Sequence, residues 1–167
     1  MIALQNFVYV YGGISGAGEG ETAHHPVLAD PLIERYTPQN DKWDTISISM
    51  APSLAAFAWT QIEDEAKIVI LGGTNGDIMT EDFYIIDFKL ENVLTRQTNF
   101  DFNTAMGKMV YSKTLDSVVH IGGMNSEGVN YQLKMGDTDW TQLEHNHSLL
   151  LNSRGLELCN NSSIYFQ

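Results

Sequence analysis

The sequence predicts an all-β chain of short antiparallel meanders packed face to face around an axis, a propeller segment whose ring stays incomplete. Three observations carry that expectation. A β-branched or aromatic five-residue run ends in a glycine pair three times, at Gly12-Gly13, Gly72-Gly73 and Gly122-Gly123, 60 and then 50 residues apart. Each pair is followed by a polar loop and a second strand-like run, and in two cases by a tryptophan. No segment sustains a 3.6-residue apolar period, so almost no helix is expected.

In the first unit the run Phe7-Val8-Tyr9-Val10-Tyr11 leads into Gly12-Gly13, the polar stretch 14–31 follows, and a strand is expected from Leu32 to Tyr36. Thr37-Pro38-Gln39-Asn40-Asp41-Lys42 reads as a turn, and Trp43 opens the next strand. The second unit starts with a strand within Ala55 to Ile62, turns at Glu63-Asp64-Glu65-Ala66, and runs through Lys67–Leu71 to Gly72-Gly73. A strand from Asp82 to Phe88 comes next, and Val93 or Leu94 takes the place of the tryptophan. The third unit repeats the order: Gly107 to Lys113, a turn at Thr114-Leu115-Asp116, Ser117–Ile121, Gly122-Gly123, then Val129 to Lys134 with Tyr131, and Trp140.

The unit is therefore four short strands: an inner strand a, a strand b ending in Gly-Gly, a strand c, and a strand d. One such sheet cannot hide both faces from water, but sheets stacked around an axis can. The glycines belong where strand b leaves the sheet near the crowded hub. There the chain needs φ > 0 and the neighbouring blade comes close.

LIERYTPQNDKW at 32–43, taken with the three strand-terminal glycine pairs, resembles the kelch repeat. That family has units of about 50 residues, each forming one blade. The first repeat matches its pattern of apolar run, Gly-Gly, spaced Tyr and Trp well, the third fairly and the second in part. Met50-Ala51-Pro52 looks like the family's proline-containing d–a linker. The resemblance implies blades at 1–54, 55–104 and 105–152, with 153–167 starting a fourth. It also implies structural roles for Gly12, Gly13, Tyr36, Trp43, Gly72, Gly73, Gly122, Gly123, Tyr131 and Trp140.

The register leaves six residues before Phe7, so the first blade is expected to have strands b, c and d but no strand a. At the other end, residues 153–159 read as a strand a, Asn160-Asn161-Ser162 as a turn and 163–167 as a strand b. Propellers close with roughly four to eight blades. The missing ones are expected from the same longer protein, from another chain or from a second copy.

Nine basic against 21 acidic side chains give a formal charge of −12, which argues against nucleic acid and anionic membranes as partners. No charged leader precedes an apolar run and no stretch approaches a membrane span, so an intracellular protein is expected. The single cysteine, Cys159, excludes an internal disulfide and reads as a small thiol. The sequons at Asn146, Asn160 and Asn161 carry no weight without a secretory signal.

Little catalytic chemistry is written in the chain. GISGAGEGE follows a strand, as phosphate-binding loops do, yet no helix start and no Lys-Ser/Thr pair comes after it. His24-His25 and His145/His147 lack a third ligand at a fixed spacing, so no metal and no cofactor is expected. One branch of the kelch-like superfamily is a copper oxidase with a cysteine–tyrosine crosslink, whose motif is absent here. His120 is the one unusual residue on a b strand, and reads as a hydrogen-bonded core histidine.

Because strands alternate direction, the b–c loops and d–a linkers share one face. Residues 14–31, 48–54, 74–81, 98–104, 124–128 and 145–152 form that expected binding surface, with Glu19, Glu21, His24, His25, Asn75, Asp77, Asn125 and Glu127 as candidate contacts. The expectation is a non-catalytic protein-interaction scaffold in a larger assembly, cytoplasmic, with cytoskeletal or ciliary settings suggested by the resemblance. The alternatives are a small-molecule enzyme of the superfamily and the substrate-recognition part of a ubiquitin-ligase adaptor.

Overall fold

The computed structural model describes residues 2–4, 6–15, 27–28, 33–48, 51–75, 78–96, 98, 100, 104–125, 129–143, 156–159 and 163–166. They form three four-stranded antiparallel sheets, each a simple meander, arranged as propeller-like blades of an unclosed ring. The first sheet holds β1 (Ile2–Leu4) and β2 (Phe7–Val10) and, after a two-residue ladder of β3 (Ile14–Ser15) with β4 (Val27–Leu28), β5 (Ile33–Thr37) and β6 (Lys42–Ile46). The second holds β7 (Ala58–Ile62), β8 (Lys67–Leu71), β9 (Phe83–Asp87) and β10 (Asn92–Arg96). The third holds β11 (Lys108–Ser112), β12 (Ser117–Ile121), β13 (Tyr131–Lys134) and β14 (Thr141–Gln142). A hairpin of β15 (Leu156–Cys159) and β16 (Ser163–Phe166) follows. The helical content among the described residues is one 3-10 turn, Glu63–Glu65, in the acidic a–b connection.

One expectation is overturned. The first sheet does have its strand a: β1 pairs with β2 in the register Ile2↔Tyr9, Ala3↔Val8 and Leu4↔Phe7. A hairpin needs only two residues between Leu4 and Phe7, so three residues suffice where six looked too few. The polar stretch after Gly13 also begins with the β3–β4 ladder, and is not loop throughout.

The sheets converge on their first strands. β7 lies against β11, and β11 against β15. Tyr111 N–H donates to Thr60 Oγ1 at 3.1 Å and Met106 N–H to the Ala56 carbonyl at 2.6 Å, tying the second and third sheets near the axis. Between the sheets lie two apolar layers. Tyr9, Tyr11, Ile33 and Ile46 of the first meet Ile68, Ile70, Ile86 and Val93 of the second. Val69, Leu71, Phe83 and Ile85 of the second meet Met109, Val118 and Leu133 of the third. Val110, Val119 and Ile121 line the far side of the third sheet.

The glycine pairs hold these layers in register. All six have φ between 62° and 114°. Gly13 N–H donates to the Leu54 carbonyl at 3.0 Å, and Gly73 N–H to the Thr104 carbonyl at 2.7 Å, so the first and second pairs each fasten the linker entering the next sheet. A Cβ on Gly12 would stand 2.6 Å from both Leu54 O and Phe57 Cε1. The repeat also recurs in left-handed non-glycine turns 50 residues apart: Asp41 and Glu91, Ala56 and Met106, Ala66 and Asp116.

Two neighbouring substitutions separate the backbone from the contact. Gly12→Ala combines a left-handed φ with overpacking and is expected to cost about 2–4 kcal/mol. Gly13→Ala, whose Cβ meets nothing within 4 Å, is expected to lose only the conformational part, about 1–2 kcal/mol. Urea denaturation of both variants checks this, and equal losses would remove the role assigned to close approach.

Candidate functional site

The loop face carries a groove of about 370 Å³ at the seam between the first and second sheets, lined by Pro52, Ser53, Leu54, Asn75, Ile78, Thr80, Asp82 and Tyr84. One wall is the linker into the second sheet, the other its b–c loop. Both are pinned to the glycine pairs. The linker is fixed by Gly13 N–H to Leu54 and by the Tyr11 hydroxyl donating to the Pro52 carbonyl. A reciprocal pair, Ala55 N–H to Thr74 O and Thr74 N–H to Ala55 O, both 2.9 Å, joins the two walls.

The b–c loop is a tight turn closed on itself. Thr74 Oγ1 donates to the Ile78 carbonyl at 3.0 Å, and Ile78 N–H to Asn75 Oδ1 at 3.2 Å. Thr80 N–H returns to Gly73 O at 2.9 Å. This closure forces Ile78 outward, 63 % exposed. Below it the alternation Thr80-x-Asp82-x-Tyr84 puts three polar side chains on one side of the strand entry. Thr80 Oγ1 donates to Asp82 Oδ2 at 2.6 Å and Tyr84 Oη to the same oxygen at 3.1 Å. Burial, and secondarily Asp82, push the Tyr84 phenol up to about 12, so it stays a hydroxyl at neutral pH. The groove thus presents an aliphatic knob, an exposed carboxylate oriented by two hydroxyls, and an amide. Such a set suits recognition of a chain segment.

Asn75 is the candidate contact that the groove includes. Asn125 occupies the equivalent turn after the third glycine pair, exposed and at φ 65°. Glu19, Glu21, His24, His25, Asp77 and Glu127 lie outside the described residues. Sequence reasoning missed Asp82 and Tyr84 because Asp82 to Phe88 reads as strand. Period-two spacing of polar side chains beginning at Thr80 was the available signal.

The aromatic positions separate into two environments. Trp140 packs against Phe83 and Phe100 at centroid distances of 6.0 and 5.0 Å, and its indole N–H donates to Thr98 Oγ1 at 3.1 Å. Tyr131 meets Phe100 edge-on at 5.4 Å. Tyr36 and Trp43 stack on each other at 5.1 Å, and Trp43 is 55 % exposed. In the second sheet Val93, opposite Ile86, takes the tryptophan's register; Leu94 points to solvent.

His120 is fully buried, but it is not the hydrogen-bonded core histidine expected. Neither ring nitrogen has a hydrogen-bond partner among the described residues. The ring stands edge-on to Phe100 at 5.5 Å and fills the space left by the missing side chain of Gly107. Desolvation holds its pKa down at about 4. Among the described residues no three His, Cys, Asp or Glu side chains gather as a metal site would require, and no helix is long and apolar enough to cross a membrane.

No family model and no curated protein matches this chain.

Burial makes the His120 environment measurable. With a folded pKa near 4 against 6.5 for the free side chain, the unfolded chain takes up the proton first as pH falls. Stability is therefore flat above pH 6.5 and falls by up to about 1.4 kcal/mol per pH unit towards pH 4. Asp44 and Asp64, held below the usual carboxylate range by Arg35 and Lys113, keep their contributions until more acid conditions. His120→Leu is expected to flatten the upper window, read from urea midpoints between pH 7 and 4.5; an unchanged slope would show that His120 is not the group responsible.

Proposed function

We propose that this chain is a non-catalytic protein–protein interaction scaffold, a kelch-type propeller module of a larger assembly, which holds an extended segment of a protein partner in its loop-face groove. The observation that carries the proposal is the groove itself: an exposed Ile78 and an oriented Asp82 carboxylate on walls fastened to the glycine pairs. The formal charge of −12 supports a partner segment that brings a basic side chain to Asp82 and an apolar one to Ile78. The left-handed glycine pairs and the shared register of Trp43, Val93 and Trp140 support the kelch-type reading. The sealed position of His120 supports a binding role over a catalytic one. A cytoplasmic setting of cytoskeletal or ciliary kind belongs to the same proposal and rests on the resemblance of the repeat.

The test is a comparison of faces. Ile78→Asp and Asp82→Lys are expected to reduce specifically co-purifying proteins, measured by quantitative mass spectrometry, about tenfold, the equivalent of about 1.4 kcal/mol of binding. Leu90→Asp and Leu115→Asp, at exposed positions in the c–d and a–b turns, are expected to leave them unchanged. The reverse pattern would put the contact on the opposite face.

A further inference from the structure

Carboxylates of this chain meet cations in two ways, and the occupancy of their oxygens separates the two. Asp44 offers both oxygens to one partner: Arg35 Nε donates to Oδ1 at 3.0 Å and Nη2 to Oδ2 at 2.6 Å. That is the two-pronged pairing a planar guanidinium fork matches. Asp87 offers only one. Its Oδ1 accepts the N–H groups of Lys89 and Leu90 at 2.9 and 3.0 Å, and the cation at its other oxygen is a lysine, Lys67, with Nζ 3.7 Å from Oδ2.

Asp82 in the groove has the second arrangement. A carboxylate oxygen has room for about two donors. Oδ2 of Asp82 already takes the Thr80 hydroxyl at 2.6 Å and the Tyr84 hydroxyl at 3.1 Å. The Thr80 hydroxyl is held in that direction because its oxygen accepts Asp82 N–H at 3.0 Å. Oδ1 receives no hydrogen bond from a described residue, and among the described residues no lysine or arginine pairs with the exposed Asp82 side chain. A guanidinium laid across this carboxylate would find one of its two oxygens filled. An ammonium is a compact charge with three rotatable N–H donors. It can reach Oδ1 alone and turn a second N–H to the Tyr84 oxygen beside it.

We propose that the groove selects lysine over arginine in the segment it holds, and that Thr80 and Tyr84 determine this choice by filling Oδ2 and leaving Asp82 a one-point acceptor. The inference rests on the reading of the groove as a site for a protein segment, and adds which basic side chain that segment carries. Specificity here comes from a blocked position, not from an added contact.

The experiment selects a phage-displayed library of random peptides on the immobilised full chain. The enriched peptides are then synthesised in pairs, with lysine or arginine at the basic position, and their Kd values are measured by fluorescence anisotropy. The lysine peptide is expected to bind about tenfold tighter than its arginine twin, the scale of one charge-assisted hydrogen bond. Thr80→Val combined with Tyr84→Phe frees Oδ2 with little change of shape. It is expected to bring the twins within about twofold or to reverse their order, which a merely structural role of the hydroxyls would not do. Unchanged thermal melting checks the folding of the double variant, and the exchange within the peptide requires no variant of the chain. Peptides that are lost with Asp82→Asn yet bind equally well or better with arginine overturn this proposal and leave the groove reading standing. So does a lysine preference undiminished in the double variant. A selection that yields no peptide sensitive to Ile78→Asp or Asp82→Asn overturns both.

Discussion

The rest of the structure depends on a backbone hydrogen bond between neighbouring sheets, from the N–H of the second glycine of a pair to the carbonyl of the linker entering the next sheet. It occurs as Gly13 to Leu54 at 3.0 Å and as Gly73 to Thr104 at 2.7 Å. Meander sheets have no covalent reason to stack at a fixed angle; apolar burial alone lets them slide. A directional bond at the strand tip removes that freedom, and it forms only where the backbone turns left-handed and no Cβ holds the linker away. The glycines matter less for the strand they end than for the sheet that follows.

The groove follows from the same contact. Its two walls come from segments about 20 residues apart in sequence, 52–54 and 75–84, yet both terminate on glycine pairs or their bonded linkers. Ile78 and Asp82 consequently stand on walls whose backbones are both fixed. The recognition proposed for this groove needs such support, since loops otherwise lose binding energy to ordering. The Thr80–Asp82–Tyr84 bonds complete it by fixing the carboxylate's orientation.

Much of this was legible because strand-forming residues, glycine pairs and tryptophans are punctuated at short range. The runs Lys67–Leu71 and Ser117–Ile121 could be read to the residue, since β-branched side chains fill both faces of a covered strand. What escaped depended on pairing across distance. Three residues at Ile2–Leu4 carry no strand signal of their own and become a strand only because β2 offers an edge. Val93 and Leu94 are indistinguishable by composition, and the ladder to Ile86 decides between them. The fit of His120 into the space above Gly107 joins a residue of β12 to one 13 positions earlier, just before β11, and neither carries the signal alone.

Trp43 and Trp140 show how far residue type can be separated from environment. They occupy one register position, and each has an aromatic neighbour, yet one is anchored by Phe83, Phe100 and Thr98 while the other rests on Tyr36 with more than half its surface in water. The repeat determines which side chain stands at the outer edge of a sheet; the preceding sheet determines whether that side chain is core. Large apolar area left in water is a standing free-energy deficit of roughly 25 cal/mol per Å² relative to burial. The first sheet carries that deficit on the face where its two successors gain.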